Sequence, residues 1–246
     1  MDRKIALVTG GNRGIGAAIC LALARSGYFV YVNDIARTDE TEPLLAQIKE
    51  QGDGAFLQFD VCREGSITSA LAEFAHDRLD LLVNNAGILR DNLLSTTETK
   101  DYEALLETNF YGVCRTYDVF REKLSASRCP VVASMGSISG VRVRAGQNGY
   151  AVSKAMVIEW TLQKSLAEHH IKFFALSPGA VATEMIKKAP WYNQPGVFKI
   201  IPLGRFAEPE EIGEFILMLS ERPQLFQNGS NIIIDGGFIQ TVKEKK

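Results

Sequence analysis

Short apolar runs alternate with longer amphipathic stretches along the chain. Each short run is continuously apolar, which is typical of a strand buried on both faces, whereas the longer stretches have the periodicity of helices. The predicted strands are Ile5–Val8, Phe29–Val32, Ala55–Phe59, Leu79–Val83, Val131–Ala133, Lys172–Leu176 and Ile232–Ile234. The predicted helices are Ala17–Ser26, Glu42–Glu50, Glu64–His76, Thr99–Thr108, Phe110–Ala126, Tyr150–Glu168 and Glu208–Ser220.

Buried strands joined by helical crossovers predict an α/β fold with a doubly wound, seven-stranded parallel sheet and helices on both faces. The length of 246 residues and the 46% hydrophobic composition allow one large core. No Pro/Gly/Ser-rich linker or charge block divides the chain, so a single domain over residues 1–246 is expected. Residues 241–246 are expected to form a frayed, solvated tail.

Charge and cysteine usage argue against several classes of function. The formal net charge of -2 and the pI of about 6.0 give no sign of a nucleic-acid partner. The four cysteines have no paired spacing, so no disulfide framework and no metal site is predicted, and the cytoplasm is the expected compartment. No apolar run has the length of a membrane span, so no membrane association is expected.

A glycine-rich turn joins the first predicted strand to the first predicted helix. Gly10, Gly14 and Gly16 permit a tight turn and a close approach of the backbone to a pyrophosphate at the helix N-terminus. Alone, such a turn is weak evidence, because glycines also serve ordinary strand–helix connections. Its place in a βαβ unit, with an acidic residue after the second strand, predicts a dinucleotide site.

That acidic residue, Asp34, bears on the choice of dinucleotide. A carboxylate there can accept hydrogen bonds from an adenosine ribose and repels a 2′-phosphate, which favours NAD. Arg13 and Arg37 could both attend a phosphate, which favours NADP. We predict NAD, with NADP as the alternative, because a carboxylate facing a phosphate is harder to offset than an arginine facing water.

Tyr150 and Lys154 are four residues apart, so on a helix their side chains share one face. An unperturbed tyrosine has a pKa near 10, and lowering it to about 7 takes about 4 kcal/mol. An ammonium about 4 Å away, at an effective dielectric near 20, supplies an interaction of that size. The pair could therefore serve as an acid/base near neutral pH. A lone Tyr-x-x-x-Lys is more often a packed ring beside a solvated amine, so other residues must decide.

Further polar positions could complete a site around this pair. Asn84-Asn85-Ala86-Gly87 ends the fourth predicted strand at the carboxyl edge, where open α/β sheets bind ligands, and its amides can pin neighbouring loops. Asn109, in an apolar helix, could hold a water against Lys154, and Ser137 could donate a hydrogen bond to a substrate oxygen. Read singly, these residues are also consistent with a turn or a solvent-facing amide.

Together these motifs resemble the classical short-chain dehydrogenase/reductase family over about residues 4–240. The matching motifs are Thr9-Gly10-x-x-x-Gly14-Ile15-Gly16, Asn84-Asn85-Ala86-Gly87, Asn109, Ser137, Tyr150-x-x-x-Lys154 and Pro178-Gly179. The resemblance implies a Rossmann fold and an NAD(P)-dependent oxidoreductase. It also implies a homo-oligomer, either a tetramer or a dimer.

The resemblance also implies a role for each matching residue. Tyr150 would be the acid/base, Lys154 would lower its pKa, and Ser137 would orient the substrate carbonyl. Asn109 would hold a water of a proton relay, and no metal is implied. The residues implied in cofactor binding are Gly10, Asn12, Arg13, Gly14, Ile15, Gly16, Asp34, Asp60, Val61, Asn85, Ala86, Gly87, Tyr150, Lys154, Pro178, Gly179, Val181 and Thr183.

Within the family, the stretch from Asn85 to Leu94 looks like the 3-oxoacyl-[acyl-carrier-protein] reductase branch. This predicts reduction of a ketone or 3-oxoacyl thioester, which an acyl carrier protein could deliver. The alternatives are an NAD-dependent dehydrogenase of a small secondary alcohol, sugar or steroid, and a non-catalytic dinucleotide sensor. Residues 183–200 lie where the family keeps a substrate lid, and their aromatic side chains could cover an apolar substrate or pack the loop onto the core.

Overall fold

The computed structural model describes residues 3–90, 94–142, 146–187, 192 and 196–241. Its strands β1 to β7 are Ile5–Val8, Phe29–Asp34, Asp53–Gln58, Leu81–Asn84, Val131–Met135, Lys172–Pro178 and Asn231–Ile234. Its helices α1 to α8 are Gly14–Arg25, Thr41–Gln51, Glu64–Glu73, Thr99–Leu106, Gly112–Ser125, Asn148–Ala167, Glu184–Lys187 and Pro209–Glu221. A π turn over Glu107–Tyr111 joins α4 to α5.

The seven strands form one parallel sheet in the order β3-β2-β1-β4-β5-β6-β7. The strand order reverses between β1 and β4, which pair directly. Because all strands run the same way, the carboxyl ends of β1, β2, β4, β5 and β6 meet at one edge. Open α/β sheets bind ligands outside such a reversal point. The predicted single-domain, doubly wound α/β architecture is therefore confirmed.

Helices cover both faces of the sheet, each over its own apolar core. On one face α1, α2 and α8 pack over a cluster that includes Val8, Ile19 and Ile216. On the other face α3 and α5 pack over a cluster that includes Leu7 and Phe120. Leu7 and Val8 are neighbours in β1 and point into opposite cores, so both faces of the strand are dry and its residues are continuously apolar.

Strand β3 begins before Ala55, where the apolar pattern predicts its start. Asp53 and Gly54 have the composition of a turn, yet they pair with Phe29 and Val30 of β2. A Cβ on Gly54 would lie 2.5 Å from the carbonyl oxygen of Val30. Glycine at position 54 therefore allows β3 to lie close to β2. The predicted strand was too short because the turn-like composition of Asp53 and Gly54 gives no sign of this pairing.

The two helices predicted on either side of Asn109 form one continuous helical stretch. The chain passes through the π turn, in which the Gly112 N–H donates to the carbonyl of Glu107. Asn109 lies in this turn and is fully buried. Single π turns inside helices are frequent at functional sites. The prediction of two separate helices, Thr99–Thr108 and Phe110–Ala126, was wrong because the π turn continues the helical hydrogen bonding past Asn109.

The described part of the chain contains no helix that is both long enough and apolar enough to cross a membrane. Across the same residues, no three His, Cys, Asp or Glu side chains are grouped so that they could hold a metal ion. All four cysteines are unpaired thiols.

Candidate active site

The loop between β1 and α1 is held in shape by the loop that follows β4. The Asn85 Nδ2 group donates to the carbonyl oxygens of Thr9 and Gly10, at 2.9 Å each. In return, Thr9 Oγ1 accepts from the backbone N–H groups of Asn85 and Ala86, at 3.0 Å each. The prediction that the asparagine motif pins neighbouring loops is confirmed by these contacts.

The glycines of this loop are required by its conformation. Gly10 and Gly14 have φ values of 59° and 56°, in the left-handed region that favours glycine. A Cβ on Gly16 would lie 2.2 Å from the carbonyl oxygen of Gly10, so α1 can start this close to the turn only with glycine there. Ile15 packs against the apolar core under α1, α2 and α8, and Gly14 faces the methyl group of Thr183.

The start of α1 offers donors and an acceptor to a polar ligand. Arg13, the N-cap residue, makes no side-chain capping bond, so the first N–H groups of the helix keep their capacity for an anion. Asn12 donates through Nδ2 to Thr38 Oγ1 at 2.8 Å. Its Oδ1 is buried and finds no hydrogen-bond partner in the described structure. A buried oxygen without a donor is costly, so the loop fits a dinucleotide, with its pyrophosphate and hydroxyl groups.

Asp34 ends β2 at the same edge of the sheet. Its Oδ1 accepts from the backbone N–H of Ile35 at 2.8 Å, which fixes the orientation of the carboxylate. Carboxylate oxygens have several lone pairs, so the half-buried group keeps acceptor capacity for ribose hydroxyls. The structure thus places the predicted ribose-binding carboxylate beside the glycine-rich loop.

The two arginines that could attend a phosphate are in different situations. Arg13 is exposed at the start of α1. Arg37 forms an ion pair with Glu42, and its guanidinium carbon lies 4.8 Å from the centroid of the Phe56 ring. Arg37 is therefore engaged by Glu42 of α2 and by Phe56 of β3.

The turn after β3 is ordered next to the end of β2. The Asp60 N–H donates to Ser66 Oγ at 3.0 Å, and Asp60 Oδ1 accepts from the Cys62 N–H at 2.9 Å. Val61 is buried between these two positions. Asp60 and Val61 thus follow β3 at the carboxyl edge of the sheet, and their contact with an adenine stays a prediction.

Lys154 is buried at the centre of the candidate site. Its Nζ donates to the carbonyl oxygen of Met135 at 2.8 Å and lies 5.8 Å from the centroid of the Tyr150 ring. Both residues are on α6, one turn apart, as their spacing predicts. Burial lowers the pKa of Lys154 to about 8, so the amine is largely protonated at neutral pH. A buried ammonium beside a phenol is the arrangement that favours a tyrosine acid/base.

The Asn109 side chain braces the loop after β4 against α6. Its Oδ1 accepts from the Ile88 N–H at 2.8 Å, and its Nδ2 donates to the Ile88 carbonyl at 3.0 Å and to Ser153 Oγ at 3.1 Å. A Cβ on Gly87 would lie 3.2 Å from Asn109 Oδ1 and 3.6 Å from Lys154 Nζ, so Asn109 is close to the lysine. The amide itself is occupied by protein groups, and its role in holding a relay water stays a prediction.

Ser137 follows β5 and is 8% exposed. Its Oγ accepts from the Ser139 N–H at 3.1 Å, which leaves its own O–H for a substrate oxygen. Ser139 Oγ in turn donates to Gln147 Oε1 at 2.8 Å. This second contact ties the turn that carries Ser137 to the start of the helix that carries Tyr150.

The segment after β6 forms the opposite wall of the site. Pro178 ends β6, and the Gly179 N–H donates to the carbonyl of Ile234 at 2.8 Å. Val181 is buried, and its carbonyl accepts from the Thr183 N–H at 2.7 Å. These bonds hold the segment at the carboxyl edge of the sheet, opposite the glycine-rich loop.

Part of the predicted lid, including Trp191 and Pro195, lies outside the described residues. Tyr192 and Phe198 are described, and their ring centroids lie 5.5 and 4.8 Å from that of Phe206. Phe198 is nevertheless 45% exposed. These contacts support the interpretation that aromatic residues pack this loop onto the core.

Two residues that hold parts of the candidate site together, Ser153 and Thr38, were not predicted from the sequence. Ser153 accepts from Asn109 and donates to the carbonyl of Tyr150 at 2.8 Å, and Thr38 receives the Asn12 amide. A serine inside a helix and a threonine in a loop carry no signal of their own. For Ser153, the available signal is its position within the Tyr-x-x-x-Lys stretch, immediately before the lysine.

Comparison with known proteins agrees with this geometry. A family model described as Enoyl-(Acyl carrier protein) reductase matches residues 10–239. Carbonyl reductase family member 4 of Xenopus laevis is 34% identical over 238 residues, covering 95% of this chain and 97% of that protein. The 3-oxoacyl-[acyl-carrier-protein] reductase FabG of Thermotoga maritima is 32% identical over 248 residues, covering 97% and 99%.

A similar solved structure is a putative short-chain dehydrogenase/reductase from Burkholderia xenovorans, with a TM-score of 0.88 and 24% identity. The alignment covers 98% of this chain and 100% of that chain, so the whole fold is shared. The family match, the whole-length relatives and the Tyr150–Lys154 site agree with one another. The chain belongs to the short-chain dehydrogenase/reductase family.

Proposed function

We propose that this NAD(P)-dependent oxidoreductase uses NAD and interconverts a ketone and a secondary alcohol, with a 3-oxoacyl thioester as its main substrate. The observation that carries the proposal is the position of Lys154, buried 5.8 Å from the centroid of the Tyr150 ring. Burying a lysine ammonium costs free energy unless the charge is hydrogen-bonded or paired. Here the ammonium lies beside the phenol of Tyr150, whose ionised form it would stabilise. Ser137, on the turn after β5, supplies the hydroxyl that such a site needs for a carbonyl oxygen.

The proposed chemistry divides between the bound cofactor and the side chains. When bound, the nicotinamide supplies or accepts the hydride at the substrate carbon. Ser137 donates a hydrogen bond to the substrate oxygen and orients the carbonyl. Tyr150 gives its proton to that oxygen during reduction and takes it back during alcohol oxidation, while the Lys154 ammonium stabilises the phenolate.

The proposed cofactor site uses the groups left available at the start of α1. The first N–H groups of the helix would bind the pyrophosphate, and Asn12 Oδ1 would accept a hydrogen bond from the ligand. Asp34 would accept from the adenosine ribose, and its charge favours NAD over NADP. Lys154 would bind the nicotinamide ribose, as the family resemblance implies.

The proposed substrate class is supported by the relatives and by the local sequence. Two relatives that match over the whole length are named as a carbonyl reductase and a 3-oxoacyl-[acyl-carrier-protein] reductase. The stretch from Asn85 to Leu94 resembles the second of these branches. Both names describe reduction of a carbonyl group, which matches the Ser137, Tyr150 and Lys154 arrangement.

The test is a matrix of NADH and NADPH against acetoacetyl thioesters, simple ketones, polyols and hydroxysteroids, followed by nicotinamide absorbance. We expect the highest kcat/KM with NADH and a 3-oxoacyl thioester. Turnover of thioesters on both coenzyme A and acyl carrier protein would test the carrier protein as a partner. Absence of turnover with every carbonyl and alcohol, despite dinucleotide binding, would contradict the proposal and favour the non-catalytic sensor.

A second candidate function is an NAD-dependent dehydrogenase of a small secondary alcohol, sugar or steroid. The observation that favours it is Asp34, whose charge suits NAD, the cofactor typical of oxidation in the cell. The same matrix separates the two candidates. A kcat/KM for a polyol or hydroxysteroid with NAD that exceeds the value for acetoacetyl thioesters would select the dehydrogenase.

We further propose that the enzyme is a cytoplasmic homo-oligomer. Its unpaired thiols suit a reducing compartment. On α6, Leu162 and Leu166 are 40% and 64% exposed, and apolar side chains exposed on one helix are suited to contact with another subunit. Light scattering of the purified protein would test this, with a dimer or tetramer expected and a monomer contradicting it.

A further inference from the structure

The loop after β2 carries an ion pair that bears on the choice of dinucleotide. Arg37 pairs with Glu42, and its guanidinium lies over the Phe56 ring at 4.8 Å. Phe56 itself is part of the packing around the α1 and α2 core. The guanidinium is therefore attached to the α2 side of the loop by two contacts, one with a carboxylate and one with an aromatic ring.

The position of Arg37 in the chain makes this attachment significant. It lies on the loop that directly follows Asp34, the residue at the proposed adenosine ribose. A free guanidinium on this loop would be available to a 2′-phosphate, because Arg is the side chain best suited to bind that group. Its pairing with Glu42 and its contact with Phe56 compete with such binding.

The backbone of the loop is fixed, so the Arg37 side chain is the part that can be redirected. Thr38 donates through Oγ1 to Glu40 Oε2 at 2.6 Å, and its N–H donates to Thr41 Oγ1 at 2.8 Å. Thr38 Oγ1 also accepts from Asn12 of the glycine-rich loop. The hydrogen bond from Thr38 lowers the pKa of Glu40, so this neighbour is a charged carboxylate that disfavours a phosphate.

We propose that Glu42 is a positioning residue for nucleotide selectivity, which holds Arg37 against Phe56 and away from the 2′ position of the adenosine ribose. This inference rests on the proposed dinucleotide site. Asp34 then faces the 2′ position without an offsetting guanidinium from Arg37, and the site favours NAD.

The test compares adenosine 5′-monophosphate with adenosine 2′,5′-bisphosphate by isothermal titration calorimetry, which requires no turnover. These probes differ only in the 2′-phosphate. In Glu42→Gln we expect binding of the bisphosphate to tighten about fivefold, since one exposed ion pair no longer competes for Arg37. Binding of the monophosphate should be unchanged. Glu50→Gln removes the same charge from an exposed position on the same helix and should change neither value.

The double variant Arg37→Gln/Glu42→Gln, compared with Arg37→Gln alone, separates release of Arg37 from simple loss of a negative charge. The inference requires that loss of Glu42 give no gain for the bisphosphate when Arg37 is absent. A gain that persists, or an unchanged bisphosphate affinity in Glu42→Gln, would overturn the role of Glu42 and leave the dinucleotide proposal intact. Failure of the unmodified protein to bind either probe would contradict the dinucleotide proposal itself.

Discussion

At the scale of single residues, the proposed chemistry depends on Lys154, whose amine is buried away from solvent. Burial lowers the pKa of Lys154 to about 8, while a hydrogen bond to the Met135 carbonyl keeps the amine oriented. The protonated amine stabilises a phenolate at Tyr150, which the neutral amine cannot do. The fraction of Lys154 that is protonated should therefore appear directly in the rate.

The pH dependence of carbonyl reduction follows from this pKa. Below about pH 8 Lys154 is protonated and supports Tyr150, and above it the charge is lost. We expect kcat/KM for acetoacetyl thioester reduction to be level near neutral pH and to fall on the alkaline side of pH 8. Steady-state rates across this range would check it. A rate that continues to rise into the alkaline range would contradict the assignment.

Replacement of Asn109 should show that its amide stabilises the fold by connecting the loop after β4 to α6. Asn109→Ala would leave the partly buried N–H and carbonyl of Ile88 and the hydroxyl of Ser153 without this partner. We expect a loss on the order of 3 kcal/mol in the free energy of unfolding, measured by urea denaturation. Ser153→Ala removes one contact of Asn109 and the hydrogen bond to the Tyr150 carbonyl, and should cost less, about 1 kcal/mol. Equal stability of Asn109→Ala and the unmodified protein would show that the bonds contribute nothing.

Residue roles were predictable from sequence only where a motif fixes the geometry. The four-residue spacing of Tyr150 and Lys154 sets their common helix face, and Asn85 was expected to pin neighbouring loops. Ser153 and Thr38 were missed, because the partner of a hydroxyl depends on which elements meet in space. The engagement of Arg37 with Glu42 was missed for the same reason, since a side chain with many rotamers can point either way.

At the scale of elements, the glycine-rich turn joins β1 to α1 in a conformation that tolerates no side chain at Gly16. In Gly16→Ala the new Cβ would meet the Gly10 carbonyl at 2.2 Å and Asn85 Nδ2 at 2.7 Å. We expect the turn to be displaced, with lower thermal stability and at least tenfold weaker binding of adenosine 5′-monophosphate. Calorimetry and thermal unfolding would measure both effects.

Gly65→Ala is the matched control for this prediction. A Cβ on Gly65 would meet nothing within 4 Å, and the residue is in helix α3. Alanine should stabilise that helix by about 0.5–1 kcal/mol and leave nucleotide binding unchanged. Equal nucleotide affinity in Gly16→Ala and Gly65→Ala would contradict the steric account of the turn.

Elements with a continuous apolar run were predicted well, and those governed by pairing were not. β6 extends to Pro178, beyond the predicted end at Leu176, because its last residues pair with β7. β3 starts at Asp53 because that residue pairs with Phe29. Such boundaries depend on the partner strand, which composition does not encode. The π turn at Asn109 likewise depends on burial of its amide between two other elements.

At the scale of the whole molecule, the parallel sheet directs the glycine-rich loop, Asp34 and the candidate catalytic residues to one edge. This convergence was predictable, because continuous apolar strands with helical crossovers have few alternative topologies. Ligand that binds only the folded state raises its stability. NADH at a hundred times its dissociation constant should add about 2.7 kcal/mol to the free energy of unfolding. Thermal unfolding would show this, and an unchanged midpoint would contradict a preformed cofactor site.

In the proposed mechanism, this fold positions Tyr150 as the proton donor to a carbonyl oxygen. The most direct measurement is single-turnover oxidation of enzyme-bound NADH by acetoacetyl thioester, compared between the unmodified protein and Tyr150→Phe. We predict that Tyr150→Phe binds NADH with nearly unchanged affinity, while the rate of hydride transfer falls at least a hundredfold, the range of general acid catalysis. A near-normal rate in Tyr150→Phe would contradict the mechanism.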